Sequence, residues 1–174
     1  MKNIYIILMY TGTIPSKIVS LFTMYKYSHV AISLDKKCNI LYSFGRRNVN
    51  SFLNGGFVIN NKNGEFFNRF NKTKCIIYKL EIENKKYYKL KKELKKMKKE
   101  QERYKYDFFG IILRYFFLPI TFKNKYVCSY FIADILQKND ICKFNKKTCF
   151  VKPKDFIDIE NIKKKYQGYY LSYR

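Results

Sequence analysis

One histidine and five cysteines are the groups of this chain that could carry out nucleophilic chemistry. Any Cys–His pair must use His29. Of the cysteines, Cys128 lies at the start of a predicted helix, where free N–H groups and the helix dipole stabilise a thiolate. An adjacent imidazolium would lower the pKa of this thiol further, so that it attacks carbonyl carbons near neutral pH. Taken alone, each residue is also compatible with a structural role, as a small buried hydrophobe or a hydrogen-bonded histidine.

The elements that must position this pair follow from hydrophobic spacing. Residues 28–34 alternate and residues 40–44 are apolar, with a polar turn between them, which predicts a β-hairpin with His29 at a strand start. From residue 127 to residue 138 the apolar side chains recur at helical spacing. We therefore expect Cys128 in the first turn of a helix.

Two further strands and two further helices are expected. Residues 4–10 form a continuous apolar run, typical of a central strand covered on both faces. Residues 75–82 alternate, which also indicates a strand. Helical spacing predicts one helix over residues 14–26, after Pro15, and another over residues 87–104. Nine lysines lie between Lys85 and Lys99, and a solvated face opposite the apolar stripe is favoured over a helix that binds lipid or nucleic acid.

Turn-forming residues predict the remaining organisation. Asn and Gly dominate residues 46–71, with Gly55-Gly56 and Asn63-Gly64 as turn signals, so an irregular, exposed connection is expected there. Residues 149–151 are consistent with a last short strand, and residues 153–155 with a turn or short helix. No repeat and no linker divides the sequence, so residues 1–174 are expected to form a single domain.

The charge of the chain is strongly positive. Its 36 Lys and Arg outnumber 13 Asp and Glu, which gives a net charge of +23. Such a bias attracts nucleic acid or anionic lipid at low salt. Most of these residues are Lys amid abundant Asn, Ile, Tyr and Phe, a mixture that an AT-rich genome produces without selection for any ligand. Generic surface lysines are therefore favoured over a dedicated polyanion site, and weak attraction to anionic lipid or nucleic acid is expected.

Cysteine spacing and hydropathy indicate a cytoplasmic setting. The cysteines form no CxxC pair, which disfavours a zinc ribbon or disulfide framework and favours reduced thiols. The N-terminus lacks the small-residue cleavage site of a signal peptide. Residues 108–122 are strongly apolar, but Gly110, Arg114 and Pro119 interrupt them and the run is shorter than the roughly 20 residues of a membrane span. We expect this segment to be core or surface-docking, with no integral membrane segment.

Three segments resemble one known family. Residues 27–35, Tyr-Ser-His-Val-Ala-Ile-Ser-Leu-Asp, and the strand that ends at residues 42–46 are similar to the histidine block of permuted NlpC-type, papain-like proteins, which include YiiX-like amidases. Residues 126–136 resemble their cysteine block, and residues 152–156 resemble the segment that often closes the domain. His29 precedes Cys128, an order shared with this permuted group and with lecithin:retinol acyltransferase-like proteins. The resemblance covers nearly the whole chain.

This resemblance implies a fold and a third site residue. The implied fold is α+β, a small antiparallel sheet packed against helices that include the one beginning at Cys128. The family's third residue is a polar group on the strand beside the histidine strand, where it holds the imidazole in the useful tautomer. Strand alternation places Ser43 on the same face as His29. Ser43 is therefore the expected third residue, at a position where relatives more often carry Glu or His.

Three functions are compatible with these features. The first is a cysteine-dependent amidase or peptidase. The wider superfamily that the resemblance implies commonly acts on peptides, such as those of cell walls. The second is a lipid-directed thiol acyltransferase or hydrolase, with residues 108–122 and the basic surface in contact with a membrane. The third is a non-catalytic polyanion-binding module on the same fold. The expected partner is a peptide or acyl substrate, and none of the three functions calls for a metal or another cofactor.

Overall fold

The computed structural model describes residues 1–12, 20, 24–48 and 51–174. In chain order the strands within these residues are β1 Lys2–Tyr10, β2 His29–Ser33, β3 Ile40–Asn48, β4 Ser51–Asn61, β5 Lys74–Ile82, β6 Lys105–Tyr106, β7 Lys125–Tyr126 and β8 Lys163–Tyr169. These eight strands form one sheet in the order β7-β6-β4-β3-β2-β1-β5-β8. All neighbouring strands are antiparallel except β6 and β7.

Four α-helices are described in the same part of the chain. They are α1 Glu65–Arg69, α2 Asn84–Lys99, α3 Phe108–Tyr115 and α4 Cys128–Lys138, and short 3-10 turns follow several of them. The expected combination of helices with a β-sheet is thus confirmed. The sheet is larger than the small antiparallel one expected, and it is mixed.

Strand β1 is an interior strand of this sheet. It pairs with β2 on one side, at Ile7↔Ala31, and with β5 on the other, at Ile7↔Ile77. Its side chains from Ile4 to Met9 are almost completely buried on both faces. The apolar run is therefore continuous because alternate side chains of β1 enter two separate cores.

The two cores lie on opposite faces of the sheet. Ile4, Ile6 and Leu8 pack in one core with the apolar stripes of α2 and α4, whereas Tyr5, Ile7 and Met9 pack in the other. The first core also contains Phe44, whose ring centroid is 4.9 Å from that of Phe131 on α4. This contact fixes the cysteine helix against β3. The second core is closed by Phe67 and Tyr170, whose ring centroids are 4.4 Å apart.

Several predicted elements are confirmed. The hairpin is β2 and β3, the alternating segment is β5, the lysine-rich helix is α2 with Leu90, Leu94 and Met97 buried, and α4 begins at Cys128. Residues 153–155 begin a 3-10 turn, as expected. The helix predicted over residues 14–26 lies largely outside the described residues. Residues 24–27 are not helical, so its expected end near Lys26 is wrong.

The prediction of an irregular connection over residues 46–71 is wrong except at Asn63-Gly64, where a turn forms and the Gly64 N–H donates to the Asn61 carbonyl. Strand β3 continues to Asn48, β4 spans 11 residues and α1 follows. Gly55 and Gly56 do not form a turn. They allow β6 to approach β4 closely, because a Cβ at Gly55 would lie 2.7 Å from Tyr106 Cβ. These glycines therefore serve close packing between strands and not a turn.

The predictions for the C-terminal part were also partly wrong. Residues 149–151 are not a strand, because Thr148–Phe150 form a 3-10 turn in which Val151 N–H donates to the Thr148 carbonyl at 3.1 Å. The last strand is β8, at the sheet edge beside β5. Three successive lysines open it, and charged residues of this kind are typical of exposed edge strands.

Candidate active site

The hairpin brings His29 and Ser43 into direct contact. Ile32 pairs with Tyr42 across β2 and β3, and this register carries Ser43 toward the start of β2. Ser43 Oγ lies 3.0 Å from His29 Nε2. The same hydroxyl donates to the Val30 carbonyl oxygen at 2.6 Å. Ser43 is almost completely buried, so water does not compete for these bonds.

These two hydrogen bonds determine the tautomer of the imidazole. A serine hydroxyl has one hydrogen, and here it is donated to Val30. Ser43 Oγ must then accept the hydrogen of the bond with His29, so Nε2 carries the proton. Nδ1 of the neutral ring is left with its lone pair and can take up a proton.

Cys128 is the first residue of α4, directly after Val127 in extended conformation. Its sulfur receives hydrogen bonds from the backbone N–H groups of Val30, Ser129 and Cys128 itself. Val30 follows His29 in the chain and also accepts the Ser43 hydroxyl. The backbone of Val30 is therefore the point at which the cysteine helix, the histidine strand and the Ser43 strand meet.

Burial keeps both groups of the pair neutral in the free protein. It raises the pKa of Cys128, an effect that the three backbone hydrogen bonds oppose. Burial, together with the smaller effect of the positive charge of Arg46, lowers the pKa of His29 to about 4. At neutral pH, burial therefore favours a neutral thiol at Cys128 and a neutral imidazole at His29. The thiolate–imidazolium pair suggested by the helix start is disfavoured because desolvation penalises both charges.

The other cysteines have different surroundings. Burial raises the pKa of Cys38, Cys75 and Cys142 to about 12. All five cysteines are free, and only Cys142 is more than marginally accessible. Thiols with such high pKa values are poor nucleophiles at neutral pH, and the buried Cys38 and Cys75 act as small apolar side chains.

Three residues that sequence reasoning did not single out also belong to the site. A Cβ on Gly45 would lie 3.6 Å from His29 Cε1, so the imidazole is in van der Waals contact with β3. Arg46 supplies the positive charge near His29. Burial raises the pKa of the Tyr106 phenol, and a negative charge on the nearby Cys128 raises it further. Gly45 and Arg46 fall within the quoted histidine block, whereas nothing in the sequence indicated Tyr106.

Metal chemistry has no candidate ligand set in the part of the chain that the structure describes. No group of three or more His, Cys, Asp or Glu side chains comes together there.

The chain matches no protein-family model, and no curated protein or solved structure matches it. The permuted papain-like assignment therefore stays a prediction from residues 27–46 and 126–136.

Proposed function

We propose that this protein is a cysteine-dependent acyl hydrolase of the amidase or peptidase type, with Cys128 as nucleophile and His29 as general base. The observation that carries the proposal is the convergence at Val30. Its N–H donates to the Cys128 sulfur, its carbonyl accepts the Ser43 hydroxyl, and Ser43 orients the neighbouring imidazole. A nucleophile, a base and a group that orients the base are the components of a catalytic triad.

In the first half-reaction, the Cys128 sulfur attacks the carbonyl carbon of the substrate while its proton passes to His29 Nδ1. The resulting imidazolium keeps its Nε2–H bond to Ser43. Collapse of the tetrahedral intermediate breaks the bond between carbon and the leaving group, and Nδ1–H protonates the departing amine. A thioester remains on Cys128, and the imidazole is neutral again.

In the second half-reaction, water attacks the thioester carbonyl and gives one proton to His29 Nδ1. The carbon–sulfur bond then breaks, and that proton returns to the sulfur. One amide and one water are thus converted to one acid and one amine. An acceptor alcohol or amine in place of water would make the same site an acyltransferase.

Stabilisation of the oxyanion is assigned to two donors. The backbone N–H of Cys128 lies at the N-terminus of α4, where the helix dipole favours negative charge. The phenol of Tyr106 is the second donor, because it lies near the sulfur and burial keeps it protonated. A donor pair of this kind contributes only when charge develops on the carbonyl oxygen.

A lipid-borne acyl group is the second candidate substrate. It is favoured by the exposure of Phe108, Phe109 and Phe117, which follow Tyr106 in the chain. Large exposed apolar side chains beside a reactive thiol suit a substrate presented at an apolar surface.

Trapping the acyl-enzyme tests the common chemistry. The protein would be incubated with activated acyl anilides and esters, and intact-mass spectrometry with peptide mapping would locate any adduct. We expect a thioester on Cys128 that disappears in Cys128→Ser and forms about 10²-fold to 10⁴-fold more slowly in His29→Ala. Cys142→Ser is the matched control and should be unaffected. Equal acylation of Cys142, or a rate independent of His29, would overturn the proposal.

A further inference from the structure

Exposed aromatic and aliphatic side chains are concentrated in residues 108–122, here called the aromatic segment. Among the residues whose exposure is described, 11 large hydrophobic side chains are exposed, and seven of them are Phe108, Phe109, Ile111, Phe116, Phe117, Leu118 and Ile120. Phe117 is 84% exposed and Phe109 62%. Apolar surface gathered in this way is typical of an interaction surface.

The fold holds this segment in place. Its ends follow β6 and precede β7, which pair with each other at Tyr106↔Tyr126. Asp107, almost fully buried, accepts the Gly110 N–H at 3.0 Å and bonds the Arg114 guanidinium at 3.0 Å. These bonds cap α3 and tie its last turn to its start. The exposure of the aromatic rings is thus a consequence of a fixed helix position.

Phe117 has an unfavourable backbone for its side chain. Its φ is 59°, in the left-handed region, at the position after a helix end that glycine usually occupies. A bulky residue here stores strain that glycine would relieve. A strained and almost fully exposed phenylalanine contributes little to folding, which points to a role outside the fold.

The charges around the aromatic segment are positive. The sequence contains no Asp or Glu between residues 108 and 133. Lys105 and Lys125 are exposed and paired across β6 and β7, and Lys123 is exposed beside them. Lys125 Nζ lies 5.2 Å from the ring centroid of Phe122, which in turn is 6.4 Å from that of Phe109. Cations bordering exposed aromatics complement the headgroup and acyl layers of an anionic bilayer.

The geometry of α3 suits a position on a membrane surface. The helix has eight residues, and within the described ranges no helix is long and apolar enough to cross a bilayer. It adjoins the candidate site: the Phe108 and Tyr106 ring centroids are 4.6 Å apart, and the Arg114 guanidinium lies 5.8 Å from the ring centroid of Tyr130 in the first turn of α4.

We infer that the aromatic segment docks on an anionic lipid bilayer and holds the Cys128 site at the membrane interface. The placement of Cys128 rests on the proposed function, whereas the docking itself does not. Phe109 and Phe117 enter the interfacial layer, and Lys105, Lys123 and Lys125 bind anionic headgroups. The substrate that this arrangement favours is an acyl group carried by a lipid or by a membrane-attached peptide.

Vesicle binding tests the docking surface. The full chain would be titrated with vesicles of phosphatidylcholine, with or without phosphatidylserine, and bound protein measured by flotation. The wild type should bind the phosphatidylserine vesicles, and Phe109→Ser/Phe117→Gly should bind at least about tenfold more weakly. Phe117→Gly removes backbone strain, so loss of binding in that single variant at undiminished thermal stability excludes misfolding as the cause.

Two double variants with the same net charge distinguish attraction of lipid by the lysines beside the aromatic segment from attraction by the net charge of the protein. Lys123→Glu/Lys125→Glu and Lys91→Glu/Lys95→Glu change the net charge equally, and all four lysines are exposed. Only the first pair should lower vesicle binding, by about tenfold or more. Equal loss in both, or binding abolished entirely by salt, would overturn the proposal in favour of non-specific polyanion attraction.

A fluorescent reporter locates the contact. The chain contains no tryptophan, so Phe117→Trp introduces a single one, with Tyr88→Trp on α2 as the exposed control. Emission from Phe117→Trp should shift to the blue with anionic vesicles, and emission from Tyr88→Trp should not. A blue shift without lipid, accompanied by dimerisation in sedimentation, would assign this surface to a second copy instead.

The two proposals fail separately. Vesicle binding by Cys128→Ser should equal that of the wild type. Acylation of Cys128 without vesicle binding would remove the docking proposal alone, and vesicle binding without acylation would remove the proposed function alone.

Discussion

Ser43 Oγ lies 3.0 Å from His29 Nε2, and its only hydrogen is donated to the backbone of β2. The serine therefore accepts from the imidazole and leaves Nδ1 as the basic nitrogen. A neutral hydroxyl can thus orient the ring without adding the charge that Glu would bring into a buried site.

Replacing Ser43 should impair turnover more than folding. We expect Ser43→Ala to lower kcat about tenfold, because one hydrogen bond of about 1 kcal/mol and the fixed tautomer are lost. Ser33→Ala removes another buried hydroxyl, on β2, and is the control for stability. If both variants show the same activity, Ser43 has no orienting role.

Titration of the imidazole should distinguish a neutral pair from an ion pair. Because burial lowers the pKa of His29 to about 4, its ring resonances should titrate near that value. A thiolate beside the ring would instead raise this pKa above its ordinary 6.5. Nuclear magnetic resonance of ¹⁵N-labelled protein measures the midpoint and shows whether Nε2 carries the proton. A midpoint above 6.5 that falls in Cys128→Ser would contradict the neutral pair.

Folding stability should depend on pH through His29. In the unfolded chain this histidine binds a proton below about pH 6.5, whereas in the folded chain it does so only below about 4. The unfolded state thus holds more protons in this window, and stability falls as pH decreases through it. The loss should reach about 3 kcal/mol at pH 4 and level off below. Urea unfolding measures this loss: as pH decreases, the wild type should lose stability relative to His29→Gln, and above pH 7 the difference between the two should no longer change with pH.

Tyr106 should affect the chemical step. Tyr106→Phe keeps the ring that contacts Phe108 but removes the hydroxyl near Cys128. We expect kcat to fall by about 10² with KM nearly constant, as when one oxyanion donor is removed. Tyr88→Phe, on the exposed side of α2, is the matched control. An unchanged kcat in Tyr106→Phe would limit Tyr106 to packing.

Replacing Gly110 with alanine should lower the stability of the protein, although Gly110 lies in a helix. In an ordinary helix, Gly→Ala adds about 1 kcal/mol of stability. Here the new Cβ would lie 2.5 Å from Asp107 Cγ and 2.7 Å from Arg114 Nη1, within a buried ion pair. Disrupting such a pair costs about 3 kcal/mol or more, so Gly110→Ala should be destabilising. In an Asp107→Ser background the added methyl should cost much less, as measured by thermal unfolding.

Sequence alone could predict the elements whose hydrophobic period is strong. Strand β1, the hairpin, α2 and α4 follow from spacing, and the hairpin register was sufficient to expect Ser43 beside His29. Strand β4 does not follow from the sequence because a Gly-Gly pair occurs both in turns and in strands that another backbone approaches closely. The residue types at Gly55 and Gly56 do not distinguish these two structures. Strands β6 and β7 have two residues each, too few for any period.

The electrostatic state of the site was less accessible to sequence reasoning. A cysteine at a helix start predicts a thiolate only if its surroundings remain polar. The sulfur of Cys128 is buried between α4 and β2, and desolvation there outweighs what the helix start contributes. The approach of Tyr106 to Cys128 likewise depends on the pairing of β6 with β7, which joins residues about 20 positions apart.

The parallel pairing of β6 and β7 also constrains how this protein can change over evolutionary time. Parallel neighbours cannot be joined by a tight turn and need a crossover of a dozen or more residues. A connection between Tyr106 and Tyr126 is therefore an architectural necessity, while its outward-facing side chains are free of that requirement. Mutation could exchange those side chains, and with them the surface that the protein recognises, without moving the helix that begins at Cys128.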